Sequence, residues 1–401
     1  MPSLRFAGSA SAAVLAVVGA SLLGVGYLIA RRLTVPATGR RYDLVIRDAV
    51  HRGEPEVVVL DRSPDAAASG VFNVWLENGG WAQLGPVVDE GPGTVTRVVL
   101  ATSPAGALHA GQRASWSGVY YETPGDAGHD SEEVFIQTTA DPAPAWVVHS
   151  PHGDGSRWAV HIHGLGSRRA GTLRGVDAAM RQGLTSLVVS YRNDREGPRT
   201  GSGRPTLGAT ETDDVRAALR YAREHGARTF TLFGWSMGAA IALQLAADAE
   251  FRGLIDGLVL DSPVIDWTAT INANCARAGL PSWFGVFAQP WLRVGALAHL
   301  VGLEASIPLD RFDWIRRAHE LSVPILILHG SQDSSVPLTV SERLAALRPD
   351  LVRLESFDAE HTMTWNSDSE RWQRTVREWL DSLREARSRP DGPPRSTARE
   401  T

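Results

Sequence analysis

From Ala145 to the last forty residues, short apolar runs alternate with segments of helical character. Strands are predicted at Ala145–His149, Trp158–His163, Ser186–Ser190, Thr229–Phe233, Gly257–Leu260, Pro324–Leu328 and Leu351–Ser356. Several are continuously apolar, as parallel strands must be when helices cover both faces. A helix is predicted from a cap-like Thr-x-x-Asp start at Thr210 to Glu224, and another opens at the capping box "SDSE", Ser367 to Glu370, with Trp372, Val376, Trp379, Leu380 and Leu383 at helical spacing. The pattern admits one architecture, an α/β fold with a doubly wound, mostly parallel sheet.

One strand-to-helix junction carries chemistry. In "TFTLFGWSMGAAIALQLA" the strand stops at Gly234, and an alanine-rich helix begins just after Ser236. A serine on so tight a turn has strained backbone angles and an outward side chain, and only small neighbours fit beside it, hence Gly234 and Gly238. The helix aims its first N–H groups back at the serine. This is the G-x-S-x-G pattern of a nucleophile elbow. A serine hydroxyl needs a base, and the base an orienting acid. Asp333, in "LILHGSQDSSVP", and His361, in "DAEHTMTW", follow later strands in the order Ser, Asp, His. Asp261, in "VLDSP", is a second strand-end aspartate that competes for the acid's place.

Upstream, "WAVHIHGLGSRR" ends a strand at His163 and turns at Gly164. The N–H groups of Leu165 and Met237 are predicted to face the same space, as an oxyanion hole. His161 and His163 also form an H-x-H pair, the spacing of two metal ligands, but no third ligand lies nearby and no metal or cofactor is expected. The lone cysteine, Cys275, is a thiol with no nucleophile motif around it and reads as a core residue.

Residues 145–384 resemble the α/β-hydrolase superfamily, in particular its serine aminopeptidase-like and monoacylglycerol lipase-like branch. The resemblance rests on "HGLG", "GWSMG", "HGSQD…VP" and "EH", and "SYRND" and "TMTWN" are similar to stretches of uncharacterised actinobacterial members. It implies Ser236, Asp333 and His361 as nucleophile, acid and base, and Leu165 and Met237 as oxyanion donors. An insertion at about 264–322 would then be a cap. Its Trp267, Trp283, Phe284, Phe287, Trp291, Phe312 and Trp314 either line an apolar substrate pocket or fasten the cap to the body.

The rest of the chain reads differently. Residues 42–140 hold short β-prone runs at Val57–Leu60, Val71–Leu76, Thr94–Leu100, Ser115–Tyr121 and Glu132–Gln137, with turns between them, and predict a small antiparallel β-rich region. Phe6–Ala30 is uncharged and long enough to span a bilayer, so a retained transmembrane helix is expected in preference to a cleaved signal peptide. The arginines after it, Arg31, Arg32, Arg40 and Arg41, favour the cytoplasmic face for the body of this single-pass membrane protein. Residues 385–401 predict a disordered tail. A net charge of −5 without basic tracts excludes nucleic acid as a partner.

The expected function is hydrolysis of a small-molecule carboxylic ester, or of an acyl lipid, through an acyl-enzyme. A peptidase or amidase, with Glu304 or Asp310 of the cap binding a free amine, and an acyltransferase share the same triad. A noncatalytic membrane-tethered binding protein is the alternative of a different class.

Overall fold

In the computed structural model the structure describes residues 19, 21–50, 56–104, 106 and 108–388. It opens with a helix, α1, over residues 21–33. Six strands follow: β1 (Leu44–Val50), β2 (Val57–Asp61), β3 (Phe72–Leu76), β4 (Trp81–Glu90), β5 (Thr94–Ser103) and β6 (Arg113–Ser117). They form a closed barrel in the order β1-β2-β5-β4-β3-β6, and β1 pairs with β6 to complete it. Closure leaves no sheet edge to recruit foreign strands. Its core is aliphatic, built on Ile46, Val58, Leu60, Val74, Leu76 and Leu84. Inside this shell Arg97 is fully buried, its guanidinium donating to the carbonyls of Gly85, Ala66, Ala68 and Gly70, which satisfy its donors while burial lowers its pKa to about 10.

The second sheet has eight strands in the order β14-β13-β12-β11-β9-β10-β8-β7. They are β7 (Glu132–Ile136), β8 (Ala143–Val148), β9 (Arg157–Ile162), β10 (Thr185–Val189), β11 (Thr229–Trp235), β12 (Ile255–Asp261), β13 (Ile325–Gly330) and β14 (Val352–Phe357). From β9 to β14 neighbours run parallel, and β7 and β8 add an antiparallel edge. The predicted run Glu132–Gln137 therefore belongs to this sheet and not to the barrel. Helices cover both faces: α2 (Glu211–Glu224) and α3 (Met237–Ala246) contribute to one core cluster, and α5 (Ser369–Ser388) buries Trp372, Val376, Trp379, Leu380 and Leu383 in another. A cap helix, α4 (Trp267–Arg277), lies in the insertion between β12 and β13.

Two helix starts differ in detail from expectation. Asp368, not Ser367, accepts from the N–H of Arg371 and caps α5. Thr210 makes no side-chain cap to α2; Glu211 instead accepts from the N–H groups of Thr206 and Gly208 just upstream. The tail expected at 385–401 begins inside α5, which runs to Ser388; residues 389–401 lie outside the described residues.

The transmembrane helix expected over Phe6–Ala30 is overturned: among the described residues no helix is long and apolar enough to cross a membrane. Residues 6–18 and 20 of that run lie outside the described residues. The remainder forms most of α1, which is docked on protein. Ala30 is fully buried in the main core. Gly26 lies against the backbone of Phe287, where a Cβ would come within 2.0 Å of the carbonyl oxygen. The Trp291 indole donates to the Leu23 carbonyl at 3.0 Å, and Tyr27 meets the same ring edge-on. Arg204 donates to the carbonyls of Arg31 and Thr34, both at 2.9 Å, at the end of α1. One side of α1, through Gly26 and Ala30, packs on the cap and the core while Leu23 and Leu28 stay exposed, and the single-pass placement with its cytoplasmic orientation loses its basis.

Candidate active site

Ser236 stands on a tight strand-to-helix turn. β11 ends at Trp235, α3 begins at Met237, and Ser236 between them has φ 52° and ψ −113°. A residue with a side chain is strained there, and the surroundings enforce the strain. A Cβ on Gly238 would come within 2.1 Å of the Ile162 carbonyl oxygen, and one on Gly234 within 2.6 Å of Ala239 Cα. Two backbone hydrogen bonds clamp the serine, from its own N–H to the Asp261 carbonyl at 2.9 Å and from the Val264 N–H to its carbonyl at 3.2 Å.

Three loops bring Ser236, His361 and Asp333 together. Ser236 Oγ lies 2.9 Å from His361 Nε2, and His361 Nδ1 lies 2.7 Å from Asp333 Oδ2. A carboxylate only accepts, so Nδ1 carries the proton and Nε2 is left as the acceptor for the serine hydroxyl. The other oxygen of Asp333 accepts from the N–H groups of Ser335 and Val336, at 2.9 and 2.7 Å. Burial alone would raise the Asp333 pKa, but hydrogen bonds from His329 and His361 outweigh it and hold the carboxyl well below its usual range. His329, the first residue of "HGSQD", lies 3.3 Å from Asp333 and is fully buried, a role the motif did not signal in the sequence. Asp261 does not reach His361. It is fully buried behind the histidine loop, where it accepts from Trp372 at 3.1 Å and from Thr364, and burial raises its pKa.

Leu165 and Met237 sit on either side of the serine. The loop carrying Leu165 passes so near that a Cβ on Gly164 would be 3.0 Å from the Trp235 carbonyl oxygen and 3.1 Å from Ser236 Cβ. Met237 is the first residue of α3. Among the described residues neither N–H has an acceptor. His163 anchors this loop. Its ring stacks on Tyr191, with centroids 4.1 Å apart, and its Nε2 lies 2.9 Å from Asp194. The Tyr191 hydroxyl donates to the His163 carbonyl at 2.8 Å. Tyr191 and Asp194 stand in "SYRND", and the signal for their role was a run of polar groups directly after a buried strand. His161 is separate from all this: fully buried, it meets Ser186 at 3.0 Å, and burial pushes its pKa down to about 3. The H-x-H pair is thus two structural histidines with different partners. Among the described residues no group of three His, Cys, Asp or Glu side chains is placed to hold a metal ion.

Residues 159–392, more than half the chain, match the α/β hydrolase family. The chain belongs to that family. It is an enzyme, a hydrolase. Residues 48–117, most of the barrel, match a domain of unknown function, DUF8805. The human protein ABHD12B is 28% identical over 199 residues, which cover 48% of this chain and 49% of ABHD12B. The chain thus spans about half the length of that relative. The uncharacterised protein YqkD of Bacillus subtilis is 25% identical over 282 residues, 65% of this chain and 86% of YqkD. The solved structure of the Pyrococcus furiosus esterase Pf2001 superposes with a TM-score of 0.50 at 20% identity, covering 65% of this chain and 96% of that one, a likeness of fold. The match is to the family as a whole; the aminopeptidase-like and monoacylglycerol lipase-like branch is not singled out.

In this hydrolase Ser236 and His361 open into a cavity of about 600 Å³. Its walls mix apolar and polar side chains, among them Leu33, Leu165, Val264, Thr270, Asn274 and Arg277. Two wall residues, Arg32 and Leu33, come from α1 and its end, a contribution the sequence did not suggest. Of the seven cap aromatics only Trp267 lines the cavity, its indole fixed to the Leu207 carbonyl at 2.9 Å. Phe312 and Trp314 are buried in the main core, Trp283, Phe284 and Phe287 pack on one another, and Trp291 holds α1. Those aromatics mainly fasten the cap. Glu304 pairs with Arg192 and Thr210, and Asp310 with Arg293; neither lines the cavity, so neither is placed to receive a substrate amine. Cys275 is buried in the core, and burial raises its thiol pKa.

Proposed function

We propose that this hydrolase cleaves a small-molecule carboxylic ester through an acyl-enzyme formed on Ser236. The observation that carries the reading is the relay from Asp333 to His361 to Ser236, at 2.7 and 2.9 Å, with Ser236 and His361 lining the cavity. Ser236 Oγ attacks the ester carbonyl carbon while its proton passes to His361 Nε2. Asp333 holds the ring with its Nδ1 proton turned away from the serine and stabilises the imidazolium. The N–H groups of Leu165 and Met237 take the developing oxyanion; losing one such donor costs about a hundred- to a thousandfold in rate. The proton on Nε2 then goes to the leaving alkoxide, and the alcohol departs. Water, deprotonated by the same nitrogen, attacks the acyl-enzyme, releases the acid and restores the serine hydroxyl.

An ester is favoured over a peptide with a free amino terminus because, among the described residues, no acidic side chain lines the cavity to pair with a charged amine. The test is a fluorophosphonate probe followed by hydrolysis of short-chain p-nitrophenyl esters. The wild-type chain is expected to label on Ser236 and to hydrolyse the esters, and Ser236→Ala to do neither. Labelling that persists in Ser236→Ala would overturn the assignment of the nucleophile.

A further inference from the structure

A second cavity, about 200 Å³, lies where the barrel meets the hydrolase sheet. Three arginines from separate segments converge on it: Arg40 between α1 and β1, Arg168 after β9, and Arg195 after β10. Among the described residues none of the three makes an ion pair, whereas the adjacent Arg169 pairs with Glu133 and Glu196. The Arg40 guanidinium lies over the Trp75 ring, 3.9 Å from its centroid. Burial first, and the charges of Arg168 and Arg195 after it, lower the Arg40 pKa. One carboxylate, Glu122, shares the wall, so three positive charges face one negative. Trp75 is itself buried, and among the described residues its indole N–H has no acceptor.

Gathering like charges in a partly enclosed space is unfavourable unless an anion offsets them. We propose that the cleft binds a phosphate group, held by Arg40, Arg168 and Arg195. A phosphate dianion matches the excess of positive charge, and its oxygens suit the planar fork of a guanidinium. The volume admits one phosphate group or a small phosphomonoester. The site abuts the loop of the oxyanion donor: Arg168 lies three residues beyond Leu165, and the Ser167 N–H is bonded to the Gly164 carbonyl at 3.2 Å. It also gives the barrel a function, as the wall that completes an anion site.

The test is calorimetric titration of the full chain with inorganic phosphate at constant ionic strength, chloride being the control, alongside melting curves. Wild type is expected to bind phosphate saturably and to melt at a higher temperature with it. Arg195→Glu, at an exposed position, and Arg40→Ala are expected to weaken binding by roughly tenfold or more, the loss of a charge-assisted hydrogen bond. A parallel titration with glycerol phosphate separates the sources: tighter binding than inorganic phosphate indicates a phosphorylated organic ligand, and equal or weaker binding indicates the free ion. No saturation with either, or unchanged affinity in an Arg195→Glu protein that melts as wild type does, would overturn the proposal. The readout does not depend on turnover, so it stands apart from the assignment of Ser236.

Discussion

His361 Nδ1 donates to Asp333 at 2.7 Å, and no such bond joins it to Asp261, the other aspartate at a strand end. Asp333→Asn is therefore expected to lower ester turnover by up to about ten-thousandfold, since an amide no longer fixes the imidazole tautomer. Asp261→Asn is expected to keep turnover within about tenfold of wild type, because its bonds go to Trp372 and Thr364. Steady-state rates for both variants, with circular dichroism to verify folding, decide between them.

Acid should act on the same carboxyl. The folded-state pKa of Asp333 lies below its unfolded value, so its contribution to stability is complete above the unfolded pKa, about 3.9. That contribution is lost as the pH falls from there toward the folded pKa. Urea unfolding at pH 6 and at successively lower pH should show a steeper loss of stability for wild type than for Asp333→Asn. Parallel curves would contradict the expectation.

Gly238→Ala is expected to destabilise the fold by roughly 1–3 kcal/mol, the usual cost of overfilling a tight site. The added methyl would meet the Ile162 carbonyl, a backbone atom on the central strand that cannot swing aside. Thermal melting of the variant measures it.

Tyr191→Phe removes the hydroxyl that bonds the His163 carbonyl while keeping the ring stack. The stability cost should be modest, about 0.5–1.5 kcal/mol. The kinetic effect should fall on kcat more than on KM, because the loosened loop carries Leu165, whose N–H is proposed to take the oxyanion. A variant with raised KM and unchanged kcat would show that the hydroxyl serves substrate binding instead.

Ala30→Asp would place a carboxylate in the main core. It is expected to undock α1, expose the segment to trypsin at Arg31 and Arg32, and raise KM, since Arg32 and Leu33 leave the cavity wall. Intact helix and unchanged KM after trypsin treatment would argue against that role.

The sheet and the three converging residues were legible because their signals are local. Each apolar run ends at a loop, and Ser236, Asp333 and His361 each sit just past such an end. α1 was misread for the opposite reason. An apolar helical face is the same whether its partner is lipid or the backbone of Phe287, and that partner lies far along the chain. The barrel was visible as β-rich, but β1 (Leu44–Val50) and the longer β4 (Trp81–Glu90) escaped, and β4 for a reason seen in its pairing. Its pairing with β5 shifts register around Leu84 and again before Val87 and Asp89, and Gly85 and Pro86 break the alternation there. The transfer of β7 to the other sheet depends on its partner, β8, and no property of Glu132–Ile136 by itself reveals it. Asp194 and Tyr191 carry their roles through His163, 31 and 28 residues away, a distance over which a single sequence gives no pairing signal.

The docking of α1 has a consequence for biosynthesis. The Leu23 carbonyl and the Trp291 indole that bonds it are 268 residues apart. A ribosome adds about 5–20 residues per second, so α1 emerges on the order of tens of seconds before the surface that covers it exists. Throughout that interval the nascent chain displays an uncovered apolar helix, while the barrel behind it can already close. Newborn copies of this enzyme should for that reason depend on holdase chaperones, and a chain halted before the cap is complete should be the form that aggregates.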